Sequence, residues 1–206
     1  MKLLHRSDLY GWSRFDETRN IDFNSVLWLS PEGNVLIDPL PLSDHDQKHL
    51  ASLGGARHIV LTNSDHVRDA QHARELTGAR VYGPAAEKDA FPFACDAWLA
   101  DGTRPLPGLQ VLALAGSKTP GELALIIDDT TLVTGDLVRA HRAGGLDLLP
   151  DAKLADRAAA IGSLERLLEF RELEAVLTGD GWPVFRGGYA ALLELIERAR
   201  GSRATR

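Results

Sequence analysis

The sequence predicts a mixed α/β fold, and three observations predict it. Short apolar, β-branched runs recur along the chain, segments of helical periodicity lie between them, and three of the runs end in a carboxylate. Those three are Ile59-Val60-Leu61-Thr62-Asn63-Ser64-Asp65-His66, Thr131-Leu132-Val133-Thr134-Gly135-Asp136 and Ala175-Val176-Leu177-Thr178-Gly179-Asp180. Strand ends of this kind display reacting or binding groups in alternating α/β chains. Asp65, Asp136 and Asp180, with His66 beside the first, therefore point to one shared polar site.

In order, residues 25–30 and 34–39 read as two strands around Pro31-Glu32-Gly33, a hairpin signal. Ser43 to Leu53 reads as a helix with Ser43 as N-cap and Gly54-Gly55 as its stop. Its Asp44-His45-Asp46 cluster complements the helix dipole and is expected to face water. After the strand ending at Asn63, a helix is predicted from about His66 to Thr77, then a strand over Arg80–Pro84. From Ala85 to Asp101 the pattern is weak, and Phe91, Phe93 and Trp98 are expected to pack a lid or short helix onto the core.

Residues 108–114 and 123–127 read as strands, the second paired with the Leu132 strand through an Asp128-Asp129-Thr130 turn. Residues 137–152 read as an irregular excursion, with Arg139, His141 and Arg142 in a wall of the site. Leu154, Ile161, Leu164, Leu167 and Leu168 give the apolar face of a long helix from about Lys153 to Phe170. A last helix spans about 189–200, and residues 201–206 are expected to fray. No linker divides the 206 residues, which read as one domain with its core over about 23–200.

Composition narrows the function. A net charge of −6 argues against a nucleic-acid or acidic-membrane partner, because phosphate binding needs a basic face. Cys95 is the single cysteine, so an intrachain disulfide and a thiolate zinc site are both excluded. No apolar run approaches the roughly 20 residues of a membrane span, and the N-terminus turns charged before a signal-peptide core can form. A cytoplasmic protein acting on a small-molecule ligand or substrate is expected, with a homodimer left open.

The ordered motifs carry a resemblance. Leu36-Ile37-Asp38, Leu61-Thr62 with the polar stretch after it, Lys118-Thr119-Pro120-Gly121-Glu122, Thr134-Gly135-Asp136 and Gly179-Asp180-Gly181 follow one another as the motifs of the metallo-β-lactamase fold superfamily do. The chain resembles that family over residues 23–200. The resemblance implies a four-layer αββα sandwich with the site at one edge. It also implies roles: Lys118 stands where a metal-binding His opens the His-Thr-Pro-Gly-Ser segment, Asp136 matches a bridging aspartate, and Asp180 occupies the place of a terminal His.

The His-x-His-x-Asp-His motif fits in two registers. Without a gap, Asn63 and Asp65 replace the first two His, while Val67 and Arg68 replace Asp-His. With a two-residue deletion, Asp65-His66 is the Asp-His pair itself. Helical phase favours the deletion, because counting on from His66 puts Ala70, Ala73 and Leu76 on an apolar face. The resemblance then implies that one metal subsite is erased and the other survives as Asp65, His66, Asp136 and Asp180.

Two chemistries balance these charges, since three converging carboxylates cannot all ionise without positive partners. One divalent ion (Zn, Mn or Fe) held by the four residues would suit hydrolysis of an ester, thioester or related acyl bond. Lys118 would then stabilise an oxyanion, with Asp65 beside it as the second catalytic group. Alternatively Lys118, Arg68 and a protonated His66 form a metal-free ion-pair network in a binding module, and losing Lys118 costs roughly 3–5 kcal/mol. Around either site, Asp38, Asn63, Arg68, His141 and Trp182 are candidate supporting or pocket residues. Ser117 lacks a His–carboxylate partner pattern, so a serine nucleophile is not expected.

Overall fold

The computed structural model describes residues 1–201. Strands β1 (Lys2–Leu3), β2 (Leu9–Asp16), β3 (Ile21–Trp28), β4 (Val35–Ile37), β5 (His58–Val60), β6 (Arg80–Pro84) and β7 (Ala97–Leu99) form a seven-stranded sheet in sequence order. It is antiparallel through β4 and parallel from β4 to β7. A second sheet has the order β13 (Ala175–Thr178), β10 (Thr131–Thr134), β9 (Leu123–Ile127), β8 (Leu109–Ala113). Strands β11 (Val138–Arg142) and β12 (Gly145–Leu148) make a separate hairpin.

Side-chain alternation sorts the apolar residues into three interfaces and so builds the sandwich. Val26, Trp28, Ile37 and Val60 face Val111, Leu125, Val133 and Leu177 between the two sheets. Their neighbours Leu27, Leu36 and Ile59 point the other way, onto Leu50 of α1 (Asp44–Ser52) and Ala70 and Ala73 of α2 (Ala70–Thr77). Ala124, Ile126 and Val176 cover the opposite face, against Leu164 and Leu167 of α3 (Arg157–Leu167) and Leu192 and Ile196 of α4 (Gly188–Gly201). The layers are therefore helix, sheet, sheet, helix, as the motif order implied. No helix among the described residues is long and apolar enough to cross a membrane.

Several local expectations need correction. Residues 9–16 form a strand paired with β3 along its whole length, although Ser13, Arg14 and Phe15 on its exposed part hide the apolar signal. The excursion after Asp136 is the β11–β12 hairpin, because Val138, Ala140 and Leu146 alternate inward between the charged residues. Helix α2 begins at Ala70, four residues late, since Arg68 takes a left-handed φ of 40° and breaks the turn. Leu76 is exposed, so only Ala70 and Ala73 carry the buried face. Asp46 is buried rather than solvated, its carboxylate held by Ser43 Oγ at 2.7 Å and by the Met1 amine. Ser43 caps α1 as expected. Gly201 ends α4, and the rest of the 201–206 stretch lies outside the described residues.

Two stitches set the sheet ends side by side. Leu123 N donates to Thr62 O at 2.7 Å, and Asn24 N donates to Gly179 O at 2.9 Å. The segments after β5, β10 and β13 therefore open on the same edge, where the three carboxylates were expected to meet.

Candidate functional site

A cleft of about 770 Å³ occupies that edge, and Asp65, His66, Arg68, Lys118, Asp136 and Asp180 all line it. Asp65 and His66 sit in a tight 3-10 turn, Ser64–His66, capped by Asn63, whose Oδ1 accepts from Asp65 N at 2.9 Å. The turn draws Asn63, Asp65 and His66 together, so both motif registers place a residue at the cleft. Asn63 Nδ2 donates to Asp136 at 3.0 Å, and Asp65 meets Lys118.

Lys118 is the hub. Its Nζ lies 2.7 Å from Asp65 Oδ2 and 3.1 Å from Asp136 Oδ2. Burial disfavours the ammonium, but the two carboxylates outweigh that and raise its pKa above the ordinary lysine value. Asp136 is opposed by burial and rescued by His66 and Lys118, which hold its carboxyl far below the usual range.

His66 is buried between two acids, with Nδ1 2.8 Å from Asp38 Oδ2 and Nε2 3.6 Å from Asp136 Oδ2. Burial works against its imidazolium, yet the Asp38 charge and the Asp136 contact raise its pKa to about 9. Asp38 braces rather than faces the cleft. It accepts from Thr62 N at 2.8 Å and Thr62 Oγ1 at 2.6 Å, and its own backbone sits at a φ of 47°.

Asp180 is held apart from that hub. Arg139 Nε lies 3.1 and 2.9 Å from its two carboxylate oxygens, and the Arg139 terminal nitrogen also donates to it. Arg68, expected in the ion-pair network, makes no direct ion pair among the described residues, and the charges of Asp38, Asp136 and Asp180 reach it only through space. Arg68 donates to Asp38 O at 3.0 Å, Gly179 O at 2.9 Å and Asn24 O, and it stacks on the Phe23 ring. Its guanidinium is committed to carbonyls because the left-handed turn at Arg68 aims the side chain along the sheet ends.

Two residues given no specific role by the sequence complete the site. Arg139 was visible only as one cation of the excursion. A carboxylate standing for a neutral ligand at 180 brings an extra negative charge, and that was the signal to seek a partner nearby. Glu122, fully buried, accepts from Asp136 N at 2.7 Å and Leu137 N at 2.8 Å, and Ser117 Oγ also donates to it. Burial and the neighbouring Asp136 push its carboxyl up to about 7. This bond also shows that Ser117 is a structural donor. His141 and Trp182 line a second groove instead of the cleft, though His141 Nε2 lies 3.5 Å from Asp180 Oδ1.

The donor set does not fit a divalent ion. Among the described residues no three His, Cys, Asp or Glu side chains converge as a metal-holding group. An ammonium stands between Asp65 and Asp136, and a guanidinium occupies Asp180.

The sequence profile of the metallo-beta-lactamase superfamily matches residues 1–199. No curated protein matches the chain. Among solved structures, it is similar to a metallo-beta-lactamase from Pontibacter korlensis at 17% identity and a TM-score of 0.73, covering 97% of each chain. It is also similar to one from Erythrobacter litoralis at 14% identity and a TM-score of 0.69, over 95% of this chain and 90% of that one. A third, from Hirschia baltica, has 14% identity and a TM-score of 0.68, over 93% and 92%. At such identities the likeness concerns the fold alone.

Proposed function

This chain belongs to the metallo-beta-lactamase superfamily, and we propose that within it the chain works as a metal-free binding protein whose cleft is held by ion pairs. One observation carries the reading: Lys118 Nζ bridges Asp65 and Asp136 at 2.7 and 3.1 Å, the space a cation would need. A divalent ion about 4 Å from that ammonium would be repelled by roughly 8 kcal/mol at an effective dielectric near 20. The imidazolium of His66 adds to the repulsion. Lys118, Asp65, Asp136 and His66 then shape and charge the cleft, and the ligand is a small molecule.

A second reading, a one-metal hydrolase of an ester or thioester, is favoured by the approach of His66 Nε2 to Asp136 at 3.6 Å. It requires Lys118 to swing out and His66 to lose its proton. Elemental analysis and thermal shift with Zn²⁺ and Mn²⁺ separate the two. The metal-free reading expects neither stoichiometric metal nor a rise in Tm. One ion per chain, lost on chelation with a fall in Tm, would install the hydrolase instead.

A further inference from the structure

We infer that the cleft binds an organic oxyanion, a carboxylate or phosphate, carrying an apolar tail; this deepens the metal-free reading and rests on it. The cleft is cationic in a chain of net charge −6. Five lysine and arginine side chains and His66 line it against three carboxylates. Arg139 matches Asp180, and Lys118 is shared between Asp65 and Asp136, which leaves one negative charge for the buried Arg68 to balance. Behind the wall, Asp38 is met by His66, and Glu122 by two backbone N–H groups and Ser117.

Two positive groups are left over at the rim, Lys153 and Arg19. Lys153 makes no ion pair among the described residues and is exposed on the rim, its neighbour Asp151 being taken by Arg157. Arg19 meets Asp16 loosely, at 3.9 Å, and lies over the Phe23 ring. Arg68 is not among them: its hydrogen bonds go to neutral oxygens, but the charges of Asp38, Asp136 and Asp180 act on its guanidinium through space. A concave site with surplus fixed cations concentrates anions, and Lys and Arg are the usual partners of carboxylate and phosphate oxygens.

The tail has a place as well. Ile21 lines both the cleft and an adjoining groove of about 340 Å³, which Phe15 and Trp182 also line. Those two rings are 56% and 55% exposed, unusual for residues whose burial would stabilise the fold. A flat apolar group lying over Ile21 would cover them while its anionic end reaches Lys153.

The test is calorimetric titration at low salt with 1-naphthylacetate, 1-naphthyl phosphate, the neutral 1-naphthylacetamide and inorganic phosphate. Both naphthyl anions are expected to bind, with the amide at least about tenfold weaker, and the tighter anion identifies the head group. Lys153→Glu, at an exposed unpaired site, should weaken both anions by about tenfold or more. Trp182→Ala should weaken the naphthyl anions and leave inorganic phosphate unchanged. Equal binding of amide and anion, or no binding of either anion at millimolar concentration, overturns the inference. If that failure occurs in protein shown to take up no metal, the metal-free reading survives it. Anion binding abolished by chelator and restored by zinc overturns both.

Discussion

Arg139 closes a fork on Asp180, with Nε 3.1 and 2.9 Å from the two carboxylate oxygens, and both side chains are nearly inaccessible at 13% and 6% exposure. The pair ties the β11–β12 hairpin to the end of β13, and burial makes each charge rely chiefly on the other, with His141 Nε2 a weaker contact 3.5 Å from Asp180. Arg139→Met should therefore destabilise the protein by about 3–5 kcal/mol, because it strands a buried carboxylate. Adding Asp180→Leu should recover most of that loss. Urea unfolding of the four proteins of this cycle measures the coupling, and a loss under about 1 kcal/mol in the single variant would show the pair to be incidental.

Lys118 is predicted to matter less to stability than a fully buried ion pair would. Its side chain is 31% exposed and that of Asp65 is 53% exposed, so Asp65 is rehydrated when the ammonium goes. Asp136 keeps His66 and the Asn63 amide. Lys118→Ala should thus cost about 1–2 kcal/mol rather than the 3–5 expected for a stranded pair. Thermal unfolding against wild type reads the difference, and a larger loss would mean that Asp136 depends on Lys118 alone.

The parts that were legible in the sequence are those fixed by period and by local chemistry. Alternation in Val26-Leu27-Trp28 and Leu36-Ile37 marked strands, and Ser43 marked a helix start. The ordered Gly-Asp strand ends located the cleft. Pairing between distant charges was not legible, because nothing local in Arg139 or Arg68 says which carboxylate it meets. Arg68 also illustrates a backbone cause: its φ of 40° turned the side chain toward carbonyl oxygens and away from the expected acids. Strand β2 was missed because its burial follows no period of two: Ser13, Arg14 and Phe15 are exposed in succession, which erases the alternation that marks a half-buried strand.

Stability should fall as pH rises through the neutral and alkaline range. His66 has a folded pKa of about 9, above its unfolded value near 6.5. Between those values the folded state binds more protons, so its contribution is complete below about pH 6.5 and lost as pH passes 9, amounting to about 3 kcal/mol. Glu122, raised to about 7, acts in the same direction between about pH 4.5 and 7. Asp136, lowered by His66 and Lys118, opposes them only in acid, where its protonation removes stability below about pH 4. Calorimetry from pH 4 to 10 should find Tm highest near pH 4–5 and declining to pH 10. An imidazole resonance of His66 titrating below pH 7 would contradict the ion-pair account.

The glycines before the two terminal carboxylates test whether close packing, as well as charge, sets the site. A Cβ built on Gly179 would stand 2.5 Å from His66 Cε1 and 3.1 Å from Gly135 O. One built on Gly135 would stand 2.6 Å from Asn63 Nδ2 and 2.7 Å from Thr62 Oγ1. His66 can move only by giving up its contact with Asp38, which holds its Nδ1 at 2.8 Å. Gly179→Ala should therefore cost about 1–3 kcal/mol by overpacking. It should also shift the His66 ring, loosening the Asp38 contact and lowering the His66 pKa toward 6.5. An NMR titration of His66 in the variant reads this directly, and an unchanged titration midpoint in a stable Gly179→Ala protein would show that the imidazole has room the present geometry denies it.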